Sequence, residues 1–136
     1  MSHTIVLKRE LGVIVIRAIE RMDFPELSQV FAEILALPGF TPGLSLVADF
    51  REGKTQISTA EVRQLAGVAH AMDGQWGVAK WAVLTANDLT FALVRMFGAL
   101  TSDCKVTTQV FRDLVAASDW LGLGVGMDEI LDRTPH

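Results

Sequence analysis

The chain has a single cysteine, Cys104, among its 136 residues. An internal disulfide is therefore excluded, and a lone thiol suits a reducing cytosol better than a secreted scaffold. No run of Lys or Arg occurs, and the net charge is −4. Nucleic-acid binding rests on clustered cations, so that class is set aside. Long apolar runs are missing too. The cleanest aliphatic stretch near the N-terminus, Val13 to Ile16, is a strand's worth and far short of a bilayer span. No charged-then-apolar leader pattern opens the chain. The expectation is a soluble cytoplasmic protein with no membrane insertion.

Catalytic and metal signatures are equally scarce. His3, His70 and His136 are scattered without ligand spacing, so no metal site is expected. Cys104 follows Ser102-Asp103 with no paired histidine near it in sequence, and is read as an inert thiol. Neither a Gly-x-Ser-x-Gly elbow nor a P-loop occurs. The run Gly122-Leu123-Gly124-Val125-Gly126 mimics a nucleotide loop, but it follows a helical pattern instead of a strand. No nucleophile–base pair can be assembled, so neither enzymatic activity nor a cofactor is expected.

What the chain does have is apolar material in ordered blocks. Half of it is hydrophobic, and a domain of this length buries roughly two-thirds of its unfolded surface without a staple. Thr4 to Leu7 and Gly12 to Ala18 are β-branched and aliphatic, joined by Lys8 to Leu11, and predict a β-hairpin. Asp23, Pro25 and Glu26 make a helix start, and Leu27, Phe31, Ile34 and Leu35 recur at helical spacing until Pro38-Gly39. Leu44 to Phe50 reads as a strand covered on both faces. Ser58 with Glu61 forms a capping box before Val62, Leu65, Ala66 and Ala69, and Asp73-Gly74 ends that helix.

Val78 to Thr85 predicts another buried strand, and Asn87 or Asp88 caps a third helix. Its expected inner stripe is Leu89, Leu93, Met96, Phe97 and Leu100. Val106 to Phe111 is the last strand and Asp113 to Leu121 the last helix. The order ββαβαβαβα predicts one α/β domain over residues 1–122. Its sheet is five-stranded and mixed: one antiparallel hairpin strand, and four parallel strands joined by right-handed crossovers. Residues 123–136 are expected to form a short tail, holding at most one helical turn. Trp76, Trp81 and Trp120 are read as packing residues.

Several weak features in order resemble a known family. They are Asp49 at a strand end, Val83-Leu84-Thr85 before a helix carrying Arg95-Met96-Phe97, and the run Val110-Phe111-Arg112-Asp113 followed by Ala117 and Trp120-Leu121. Together they resemble the SpoIIAA-like group of STAS-type (STAS/SEC14-like) domains, over roughly Thr4 to Gly122. The resemblance implies a β-α superhelix, a bacterial protein and a tendency to form homodimers. It brings no assigned activity. Better-known relatives are anti-sigma-factor antagonists, phosphorylated on a serine of an Asp-Ser-Ser-Gly motif. This chain has Ile57-Ser58-Thr59-Ala60 at that place. Both hydroxyls are kept, whereas the Asp and the Gly are absent, so a phosphorylation switch is not expected.

Two surfaces are the candidates. A parallel sheet gathers its strand C-termini on one edge, which would collect Asp49, Arg51, Asn87, Asp88, Arg112 and Asp113, with Ser58 and Thr59 at a helix start nearby. A sequentially wound sheet lacks the switch point at which such edges usually bind ligands. The other candidate is the outer face of the third helix, where Phe91, Val94 and Gly98, with Arg95 among them, lie off the expected inner stripe. A helix apolar on two faces is deeply buried or meets a partner. The leading functional expectation is a non-enzymatic regulatory or protein-interaction domain. The alternative is a carrier for a lipid or anionic metabolite.

Overall fold

The computed structural model describes residues 2–132 of the chain. The hairpin forms as expected: β1 (His3–Lys8) pairs antiparallel with β2 (Val13–Ala18), with Ile5 opposite Ile16. β2 then runs parallel to β4 (Ser45–Asp49), β4 to β6 (Ala79–Leu84), and β6 to β7 (Val106–Phe111). The five-stranded sheet therefore has the order β1-β2-β4-β6-β7 and is wound in sequence.

Strand periodicity divides the core in two. Ile14, Ile16 and Ala18, Leu46 and Ala48, and Ala79, Trp81 and Val83 point to one face. Val13 and Val15, Val47, and Ala82 and Leu84 point to the other. Both faces are covered, which is why these strands read as nearly unbroken apolar runs. Helices α1 (Phe24–Leu35), α2 (Thr59–Ala71) and α4 (Asp88–Leu100) close the first face. α5 (Leu114–Leu121) and α6 (Met127–Leu131) close the second.

The helix starts are set by side-chain caps. Asp23 accepts from the Glu26 amide at 3.1 Å, and Pro25 sits in the first turn of α1. Ser58 and Glu61 complete a reciprocal capping box on α2, at 3.1 and 2.9 Å. Asn87 accepts from the Thr90 amide at 2.9 Å, and Asp113 from that of Val115 at 3.0 Å. Each such cap satisfies an otherwise orphaned N–H. His3 is buried between Glu26, at 2.5 Å, and Glu33, at 3.1 Å, and so ties the start of β1 to α1.

The structure adds elements and corrects one face. β3 (Arg21–Asp23) and β5 (Lys54–Gln56) form a small parallel sheet, and α3 (Asp73–Trp76) follows α2 where only a stop was expected. The segment after Gly122, expected as a tail, contains α6, whose Met127 and Ile130 are buried in the second core. The packed unit thus runs past Gly122, while residues 133–136 of the expected tail lie outside the described residues.

The inner stripe of α4 is not the expected one. Leu89 is 61% and Leu100 38% exposed, whereas Thr90 is buried at 1% and Leu93 at 6%, with Val94 and Phe97 packed on the first core. The cause is a close approach between α4 and β7. A Cβ built on Gly98 would stand 2.8 Å from the Thr108 carbonyl oxygen, so only glycine lets the helix lie this near the strand.

Candidate functional site

At the C-terminal edge of the sheet, β4 delivers Asp49 almost fully buried. Arg51 grips it twice, Nε to Oδ1 and Nη2 to Oδ2, both at 2.9 Å, and adds its backbone N–H at 3.1 Å. Arg17 reaches the same carboxylate at 3.5 Å from β2 and donates to the Leu131 carbonyl at the end of α6. Burial pushes the Asp49 carboxyl up, but the hydrogen bonds and charge of Arg51, with Arg17 behind, hold it below the usual carboxylate value. Arg51 is raised in turn by its bond to Asp49. A polar recess of about 80 Å³ lies among Arg17, Ala18, Asp49, Arg51 and Glu52.

The other rim residues form a second group. Arg112 pairs with Asp88 at 2.7 Å and stacks over the Phe91 ring at 4.4 Å. The Asn87 amide donates to Thr85 Oγ1 at 3.0 Å while its side chain caps α4. Asp113 is occupied as the cap of α5. Ser58 is engaged in its capping box, and Thr59 is exposed at the first position of α2. Each charged rim residue thus has an internal role in holding a loop or a helix end.

The four residues of the expected outer face are brought together. Phe91, Val94, Arg95 and Gly98 line one groove of about 310 Å³, with Thr108, Gln109 and Val110 of β7 forming its far wall. Two of them also have partners within the chain, which the sequence reading did not foresee: Phe91 lies under Arg112, and Val94 packs into the first core.

What sequence reasoning missed is a cavity. Between α1, α2, α4 and the first face of the sheet lies a partly open pocket of about 120 Å³. Its walls include Met22, Phe31, Leu65, Trp81, Val94 and Phe97. Phe31 is central, with ring centroids 6.1 Å from Trp81, 6.2 Å from Phe97 and 5.9 Å from Trp76. The polar side chains in the lining are Thr55 and Thr108, and Thr55 is already paired with Thr90 at 3.3 Å. Phe31, Leu65, Trp81 and Phe97 read in the sequence as ordinary core, and Val94 as an outer-face residue. Free volume is the difference between what the backbone encloses and what the side chains fill, and no periodicity reports it.

Cys104 also departs from expectation. Its Sγ lies 3.5 Å from Nδ1 of His70, a histidine distant in sequence. Burial and the Asp73 and Asp103 carboxylates push this thiol up, so it is not an activated nucleophile. Among the described residues no helix is long and apolar enough to cross a membrane.

No family model matches the chain. No curated protein matches it. Among solved structures, it is similar to an uncharacterised protein of the DUF3478 family from Shewanella loihica PV-4, described as having a SpoIIAA-like fold. The two share 17% identity with a TM-score of 0.57, over 88% of this chain and 94% of the other. The sequential order of four parallel strands, the antiparallel edge hairpin and this likeness agree: the chain has a SpoIIAA-like α/β fold.

Proposed function

We propose that this chain is a non-enzymatic binding domain whose first core takes a small apolar ligand. One observation carries the reading: the pocket of about 120 Å³ is walled almost wholly by apolar side chains. Native interiors hold few voids larger than a water molecule. An apolar cavity of comparable size, about 150 Å³, stays dry and accepts benzene. The fitting occupant is one ring or a short acyl segment, smaller than a full lipid tail. Anionic metabolites fit less well, because both Arg17 and Arg51 already face Asp49.

Benzene and hexanoate are suitable probes, with Trp81 in the wall as an internal fluorophore. Saturating probe should raise the unfolding midpoint and change Trp emission, since a ligand at about 100-fold its Kd adds about 2.7 kcal/mol. Ala48→Leu fills the pocket from β4 and should abolish both effects while keeping the fold. The reading fails if neither probe acts, or if both act equally on the variant.

A second reading, a homodimeric interaction domain, is favoured by the edge of the sheet. β7 is terminal in the order, carries no charged residue, and borders the groove of Phe91, Val94, Arg95 and Gly98. Natural edge strands are usually guarded by charge or proline. Sedimentation at micromolar concentration should show a dimer that Phe91→Asp shifts to monomer. A monomeric wild type removes this reading and leaves the pocket untouched.

A further inference from the structure

We propose a binding site for a divalent transition metal of the Zn²⁺ class, built from His70, Asp103 and Cys104. His70 stands in the last turn of α2, and the other two come from the loop between α4 and β7. His70 and Cys104 are 34 positions apart in the chain, but the fold brings one ligand atom of each of the three residues within 4.8 Å of the others. The three donors are an imidazole nitrogen, a thiol sulfur and a carboxylate oxygen. This mixed N, S and O set suits borderline-soft Zn²⁺ and Co²⁺ far better than Mg²⁺ or Ca²⁺.

Two of the three donors, the thiol sulfur and the imidazole, stand close to the spacing of a loaded site. Zn–S and Zn–N bonds meeting at a tetrahedral angle place the two ligand atoms about 3.6 Å apart, and Cys104 Sγ is 3.5 Å from His70 Nδ1. On the far side of the ring, Nε2 lies 3.1 Å from the Leu100 carbonyl. Donating its proton there leaves the Nδ1 lone pair facing the sulfur, the outer-shell arrangement common to metal-bound histidines. Asp103 is exposed on its loop with Oδ1 3.5 Å from Nε2, on the other side of the ring, and would join the ion by rotation of its side chain. Asp73 stands behind the thiol and is fixed by the Lys105 amide at 2.8 Å. On binding, the S–H bond breaks, the sulfur–metal bond forms and the proton passes to solvent. Water completes the fourth position.

Co²⁺ titration of the reduced protein tests the site. One equivalent should produce a sulfur-to-cobalt charge-transfer band, bleached by Zn²⁺. Cys104 is the chain's single cysteine, so the band reports that residue alone. His70→Ala and Cys104→Ser should abolish the band with circular dichroism unchanged. Asp103→Asn should weaken binding by at least roughly tenfold, the low end of what losing even an outer-shell partner costs. Three results overturn the proposal: no band in the wild type, a band that survives His70→Ala, or half an equivalent of cobalt bound with dimer formation. The last would place sulfurs of two chains on one ion.

Discussion

Arg51 closes both carboxylate oxygens of Asp49, at 2.9 Å each, although only one residue separates them in the chain. The pair sits where β4 ends and the chain turns back toward β5, so it fixes the exit of the central strand. Bidentate pairing of this kind is the stronger form of charge-assisted hydrogen bond. Asp49 also receives Arg17, which holds the last carbonyl of α6. One buried carboxylate therefore joins β4, β2 and the C-terminal helix.

The folded Asp49 titrates below its ordinary value of 3.8. A depressed folded value means that the carboxylate's contribution is fully present above the unfolded pKa. It is lost as pH falls through the folded one. Asp49→Asn removes the charge but keeps the shape, and should cost about 1.5–3 kcal/mol at neutral pH. Urea unfolding of both proteins between neutral pH and pH values below 3.8 measures this. The gap should close toward the acid end, and a gap independent of pH would refute the argument.

Much of this fold was legible because local signals agreed. The strand Val106 to Phe111 was read at its observed bounds, the caps at Asp23, Ser58 and Asp113 are made, and of the two candidates Asn87 and Asp88 it is Asn87 that caps α4. The miss on α4 has a definite cause. Leu89, Leu93, Met96, Phe97 and Leu100 and the observed Thr90, Leu93, Val94 and Phe97 are neighbouring stripes of one helix, and the sequence alone favours the first because it holds no polar residue. The choice between them was made by Gly98 against Thr108, a tertiary contact, and by burial of a threonine. β3 and β5 are three residues each and exist through pairing with one another. The cavity and the His70–Cys104 approach are products of tertiary geometry, and neither leaves a trace in spacing.

Ser58 gives a second prediction. Its hydroxyl caps α2, with Glu61 answering. Ser58→Ala should lower stability by about 1 kcal/mol, and Ser58→Asp should be nearly neutral, since aspartate caps as well and suits the helix dipole. Chemical denaturation decides it. Equal losses in the two variants would mean that the cap contributes little.

The C-terminal helix supplies a third. Ile130 is fully buried against the second face of the sheet. Lys8 reaches across to the carbonyls of Glu129 and Asp132, so α6 is tied by charge as well as by packing. Ile130→Ala should cost about 2–5 kcal/mol, the range for deleting a large aliphatic from a core. A change below about 0.5 kcal/mol, as expected at surface positions, would show that α6 is dispensable.

Two glycines in helix interiors predict opposite signs from one substitution. Glycine in a helix costs about 1 kcal/mol relative to alanine when nothing else intervenes. At Gly67, exposed in α2, an added Cβ meets nothing within 4 Å, so Gly67→Ala should stabilise by up to about that amount. At Gly98 the same Cβ would stand 2.8 Å from a backbone oxygen of β7, which can yield only by moving the strand. Overpacking of that kind costs about 1–3 kcal/mol, enough to cancel or reverse the propensity gain. Gly98→Ala should therefore destabilise the protein, and widening the gap between α4 and β7 should also disturb the pocket wall at Val94 and Phe97. Thermal unfolding of the two single variants, with Trp emission followed in each, is the measurement. If Gly98→Ala stabilises as Gly67→Ala does, the close approach of α4 to β7 does not exist in solution.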